Sequence, residues 1–181
     1  MSRTTAVKIV AAAVMLAVLC GCKRFDRSGI KMPKFTFVTS ENLHSVACVD
    51  AEHIWVCGRY GVICHSADGG STWERQHSGT EGLLGCIVFV NKNEGWAAGV
   101  GGTIVHTADG GRSWEVQPSG SEYNILGLFF LDAQHGWAVG ENGTVLYTAN
   151  GGKKWERQTR PMDVFFNHVF FVDRATGWVA G

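Results

Sequence analysis

After residue 40 the chain alternates short apolar runs with polar, glycine-rich breaks, and no helical period is sustained. Runs such as 84–90 and 126–131 have strand length and fall short of a typical helix. Each gives way to a polar turn, 91–94 or 132–135, and then to a second run that carries a tryptophan and stops at a glycine. A glycine turn leads to a third run, such as 103–106. A turn rich in Asp, Asn and Gly leads to a fourth, such as 114–117. The pattern predicts four short antiparallel strands per unit.

The units repeat at a fixed period. Trp55, Trp96, Trp137 and Trp178 stand 41 residues apart, as do Trp73, Trp114 and Trp155, and these are all seven tryptophans. Gly95-Trp96-Ala97-Ala98-Gly99 returns as Gly136-Trp137-Ala138-Val139-Gly140 and as Gly177-Trp178-Val179-Ala180-Gly181, with a degenerate first copy, Ile54-Trp55-Val56-Cys57-Gly58. Four antiparallel strands in a repeat of this length make the blade of a β-propeller. The sequence therefore predicts an all-β fold with about 3.5 blades in residues 35–181: 41–78, 82–119, 123–160 and a partial 164–181. The last residue falls at the end of a second strand. The expectation is the N-terminal part of a longer protein, the alternative being partial propellers that assemble into a ring. Residues 35–40 are expected to add an outer strand to the last blade.

The second signature is Ser66-Ala67-Asp68-Gly69-Gly70-Ser71-Thr72-Trp73. Its repeats place Thr107, Asp109, Gly111 and Trp114, and then Thr148, Asn150, Gly152 and Trp155, in the slots of Ser66, Asp68, Gly70 and Trp73. This is an Asp box. Its carboxylate can accept hydrogen bonds from nearby N–H groups and from the Ser/Thr hydroxyl. Its Gly can take φ > 0, and its Trp can bury a large apolar face. Asn150 keeps an acceptor in the third copy. A carbohydrate or Ca²⁺ site is the functional alternative. The structural role is favoured because the motif serves every blade alike.

Composition narrows the function classes. The 181 residues carry 16 basic and 16 acidic side chains, so the chain lacks the basic excess of a nucleic-acid binder. Gly is abundant (24) and Pro rare (3), as many strands joined by tight turns would require. Residues 1–21 read as a targeting segment: Arg3 and Lys8 precede an apolar run, 9–19, too short to span a bilayer comfortably. The run ends in Leu19-Cys20-Gly21-Cys22, which resembles the lipobox of bacterial lipoproteins. The resemblance implies cleavage before Cys22, lipidation of its sulfur and export. Bulky Leu19 makes Cys20 the poorer site. Residues 22–34 then form the lipidated Cys and a polar tether to the membrane.

Four further cysteines remain: Cys48, Cys57, Cys64 and Cys86. An exported protein can oxidise them, and Cys57 and Cys64 flank a tight turn. Against that, the slots one repeat beyond Cys48, Cys57 and Cys64 hold Phe89, Ala98 and Val105, which are apolar core residues. There is no C-x-x-C pair, and the seven histidines have no metal spacing, so no metal or other cofactor is predicted.

The Gly-Trp-x-x-Gly strand, the Gly-Thr-Ile/Val turn and the Thr-x-Asp/Asn-Gly-Gly-x-x-Trp box together resemble the photosystem II stability/assembly-factor-like propellers of the bacterial-neuraminidase-repeat group. The resemblance spans about residues 43–181. It implies a non-catalytic scaffold that binds another envelope or membrane protein. The family's arginine-rich patch is not matched: Arg59 falls where the next repeats have Val100 and Glu141. The loops after the second strands and between blades are expected to share one face, with Arg59, Tyr60, Tyr123, Glu141, Asn142 and Arg160 as candidate partner contacts. The alternative is a glycan-binding or sialidase-like glycoside hydrolase whose active site lies in a missing part. No Phe/Tyr-Arg-Ile-Pro segment precedes the first box. Tyr147 fills the slot of His65 and His106, and Asp50, Asp132 and Asp173 share a slot with Asn91, so none stands out as catalytic.

Overall fold

The computed structural model describes residues 39–181. Its strands fall into successive antiparallel meanders. Blade I holds β1 (Leu43–Cys48), β2 (Ile54–Gly58), β3 (Val62–Ser66) and β4 (Glu74–His77). Blade II holds β5 (Leu84–Phe89), β6 (Gly95–Gly99), β7 (Ile104–Thr107) and β8 (Glu115–Gln117). Blade III holds β9 (Ile125–Phe130), β10 (Gly136–Gly140), β11 (Val145–Thr148) and β12 (Glu156–Arg157). A two-stranded fourth sheet pairs β13 (His168–Phe171) with β14 (Gly177–Ala180). First strands pack on one another, β1 on β5, β5 on β9 and β9 on β13, so each blade radiates from a wall of first strands. This is the expected incomplete β-propeller.

The core lies between blades, and the two-residue period of the strands divides it. Ala97 and Val105 of blade II pack with Trp55, Cys57 and Ile63 of blade I. Their neighbours Trp96, Ala98 and Ile104 pack with Ile125, Phe130 and Leu146 of blade III. A sheet covered on both faces buries every residue of its middle strands; β6 and β10 are buried throughout.

The same packing explains both glycines of Gly-Trp-x-x-Gly. A Cβ on Gly95 would enter the ring of Phe89, its cross-strand partner, and one on Gly136 would enter Phe130. A Cβ on Gly99 would collide with the Leu83 carbonyl. Blade I departs from the motif for a visible reason. There Cys48 occupies the Phe slot, and its partner across the ladder is Ile54. The small side chain makes room for the large one.

Several expectations shift in detail. The third strand of blade II runs one residue later than 103–106, and the fourth begins at Glu115, one residue after Trp114. Cys57 and Cys64 are not opposite one another: Cys57 pairs with Ile63 and Cys64 with Val56, so the two thiols point to opposite faces of the sheet. All four cysteines, Cys48, Cys57, Cys64 and Cys86, are free thiols. Residues 1–34, with Cys22, and residues 35–38 of the proposed outer strand lie outside the described residues.

Candidate functional site

The blade ends form two faces. On one, each Asp-box turn meets the turn between the first two strands of its own blade: Gly69 N donates to Glu52 O, Gly110 N to Asn93 O and Gly151 N to Gln134 O, each at 2.9 Å. Within the first box, Ser66 Oγ donates to Asp68 Oδ1 (2.8 Å) and accepts from Gly70 N (2.8 Å). Thr72 donates its N–H to Oδ1 (2.8 Å) and its hydroxyl to Oδ2 (2.7 Å). Thr107, Asp109, Gly111 and Ser113 repeat this set. The backbone and side-chain bonds from Thr72 lower the Asp68 carboxyl to about 2, and those from Ser113 lower Asp109 to about 2. Asn150 keeps the bonds from Thr148 and Lys154 N through its one oxygen. The acceptors are thus committed to the turn itself.

These turns also lock neighbouring blades, which the sequence reading missed. Gly110 O accepts from Trp55 Nε1 (3.1 Å) and from Gln76 Nε2 (2.9 Å), both of the preceding blade. Trp114 Nε1 returns a bond to Gln76 Oε1 (3.2 Å). One blade on, Gly151 O accepts from Trp96 Nε1 (3.1 Å) and Gln117 Nε2 (2.9 Å). Each acceptor is the first glycine of its Gly-Gly pair. The readable signal was Gln76, Gln117 and Gln158, which keep the 41-residue spacing. Both glycines of each box take positive φ.

The repeated aspartates cap turns on this same face. Asp50 Oδ1 accepts from Glu52 N and His53 N, Asp132 Oδ1 from Gln134 N and His135 N, and Asp173 Oδ1 from Ala175 N and Thr176 N. Asn91 Oδ1 does the same for Asn93 N and Glu94 N. The backbone bonds of Ala175 and Thr176 hold Asp173 below the usual carboxylate range. Among the described residues no group of three or more His, Cys, Asp or Glu is placed to hold a metal.

The opposite face gathers the turns after the second strands with the loops between blades. Gly61 N donates to Gly82 O (2.8 Å) and Gly143 N to Val164 O (2.8 Å). Asn124 bridges two blades, its Oδ1 accepting from Gly101 N (2.8 Å) and its Nδ2 donating to Glu141 Oε1 (2.9 Å). All six candidate contacts lie on these segments: Arg59 and Tyr60 after β2, Glu141 and Asn142 after β10, Tyr123 before β9 and Arg160 after β12. Tyr60 (φ 55) and Asn142 (φ 52) are the two non-glycine residues with left-handed backbone among those described. Glycine fills that slot in blade II, as Gly101. Tyr60 holds its ring out at 62 % exposure and borders a groove of about 590 Å³ that Arg75, His77 and Glu81 also line.

The family described as photosynthesis system II assembly factor YCF48 matches residues 30–121 and 117–181. No curated protein sequence matches the chain. Among solved structures, YCF48 bound to D1 peptide is 22 % identical with a TM-score of 0.65, over 73 % of this chain and 44 % of that one. YCF48 from Cyanidioschyzon merolae is 20 % identical with a TM-score of 0.63, over 76 % of this chain and 47 % of that one. An ancestral GH74 enzyme is 15 % identical with a TM-score of 0.66, over 77 % of this chain and 22 % of that one. At these identities the structures share the fold, and the chain spans less than half the length of the YCF48 structures. The match of the family along two overlapping stretches is the decisive finding: the chain belongs to the photosynthesis system II assembly factor YCF48 family.

Proposed function

We propose that the protein is a non-catalytic scaffold, held at a membrane surface by lipid on Cys22, that docks another envelope or membrane protein on the face of Tyr60, Tyr123 and Asn142. The observation that carries this reading is the convergence of the exposed, irregular turns on one face, while the Asp boxes on the other are consumed in holding blades together. A bulky residue kept at positive φ is strained, and such strain concentrates at functional positions. An exposed tyrosine on a rigid turn supplies contact area at small entropic cost. A YCF48 structure that holds a D1 peptide supports a protein segment as the ligand class. The glycosidase alternative requires paired carboxylates facing a substrate. The repeated carboxylates Asp50, Asp132 and Asp173 are instead bound to their own turns. The test is retention of an envelope protein by the purified full-length protein in a crosslinking pull-down, with Tyr60→Ala and Tyr123→Ala as variants. Loss of the partner in these variants supports the reading. Equal retention, or turnover of β-glucans or sialosides by the protein, overturns it.

A further inference from the structure

One pair of slots beside the buried tryptophans is filled differently in each blade. In blade II, His106 lies over Trp96 with centroids 4.9 Å apart, and its Nε2 meets Glu94 Oε2 at 2.8 Å. In blade III the same two slots hold Tyr147 and His135, stacked at 6.5 Å. In blade I they hold His65 and His53. His65 lies on Trp55 at 4.3 Å, and His53 stacks on His65 at 5.9 Å. The carboxylate that answers His106 is therefore replaced by a second imidazole. His65 Nε2 is buried and has no hydrogen-bond partner.

His53 Nδ1 turns away to Asp50 (3.0 Å), whose other oxygen holds Lys92 Nζ (3.0 Å). Glu74 faces His65 across the β3–β4 ladder. Glu74 and the Trp55 face favour a cation at His65. Burial and then His53 oppose it, and they prevail, holding His65 below its ordinary value of 6.5. Trp55 is also the residue that clamps blade II, through Gly110 O and through Phe89, whose ring lies on it at 3.8 Å.

We propose that the joint between blades I and II is acid-sensitive: protonation of His65, beside His53 and without an acceptor for its buried Nε2, loosens the grip of Trp55 on blade II. Well above pH 6.5 the imidazole is neutral both folded and unfolded and contributes nothing to the pH dependence. Below that value the unfolded chain takes the proton while the folded chain resists it. Stability is then lost as pH falls, until the depressed folded value is passed. The carboxylates of the Asp boxes lose their contribution around and below their ordinary 3.8, well under the pH at which the unfolded imidazole first takes its proton.

The test follows the thermal midpoint and the Trp55 indole N–H exchange of the full-length protein from about pH 8 to about pH 5. The midpoint is expected to fall and exchange at Trp55 to quicken, with the Trp96 indole as the internal control that changes less. His53→Glu rebuilds the blade II pair and His65→Tyr rebuilds the blade III residue; each is expected to flatten the profile. A flat wild-type profile overturns the proposal, as does a slope that persists in His53→Glu. Should His65→Tyr fail to fold, His53→Glu alone decides.

Discussion

Trp96 Nε1 donates to the carbonyl oxygen of Gly151 at 3.1 Å, joining blade II to the Asp box of blade III across 55 residues of sequence. Trp55 and Gly110 repeat the bond one blade earlier. Trp73 Nε1 donates instead to Gly70 O of its own turn (3.2 Å), which makes it an internal control. Trp96→Phe keeps most of the ring and removes the donor, so it is expected to lower stability by about 1–2 kcal/mol. Trp73→Phe removes a donor that joins no two blades and should show a smaller loss. Urea unfolding of the two variants measures the difference, and equal losses would remove the hydrogen bond from the account.

Gly95 and Phe89 form a size-matched pair. Gly95→Ala places a methyl group in the Phe89 ring and is expected to destabilise by about 1–3 kcal/mol. Blade I has already solved this conflict with Cys48 opposite Ile54. The double variant Phe89→Cys, Gly95→Ile should therefore show a favourable coupling energy in a double-mutant cycle. Strict additivity would show that the two sites do not share space.

Asp109 accepts from Thr107, Ser113 N and Ser113 Oγ, whereas Asn150 holds the equivalent turn with one oxygen. Asp109→Asn should accordingly be tolerated better than Asp109→Ala, by urea midpoint. The pH dependence has a definite sign. Asp68 and Asp109 are lowered to about 2, so the folded state favours their ionised form. Their contribution is present above pH 3.8 and is lost as pH falls toward 2. Asp109→Asn should weaken that acid transition, which an acid titration followed by tryptophan fluorescence would detect.

The proposed lipidation of Cys22 gives an independent prediction. Cys22→Ala is expected to abolish lipid labelling and shift the protein out of the membrane fraction, whereas Cys20→Ala should leave both unchanged. Labelling that depends on Cys20 instead would move the processing site.

Much of the fold was legible because it repeats. A tryptophan every 41 residues marks both the blade period and the layer it packs in, and the Asp box marks the hairpin that closes each blade. The six residues proposed for docking do lie on one face, because turns at equivalent places in a meander must emerge on the same side. What stayed hidden was cross-blade. Gln76 and Gln117 look like ordinary polar residues of an outer strand until Gly110 O and Gly151 O are seen to accept from them. The blade I exception at Cys48 and Ile54 was also opaque, since a ladder register is needed to show that the two residues share one space. Strand limits moved by a residue where Trp114, expected to open the fourth strand, precedes it.

Site-specific photocrosslinking tests the central claim most directly. A photoreactive residue at Tyr60 or Tyr123 samples the proposed docking face, and one at Lys92 or Lys153 samples the Asp-box face. The account predicts a crosslink to an envelope or membrane protein from positions 60 and 123 and none from 92 and 153. A partner captured from the Asp-box face alone, or equally from both faces, would contradict it.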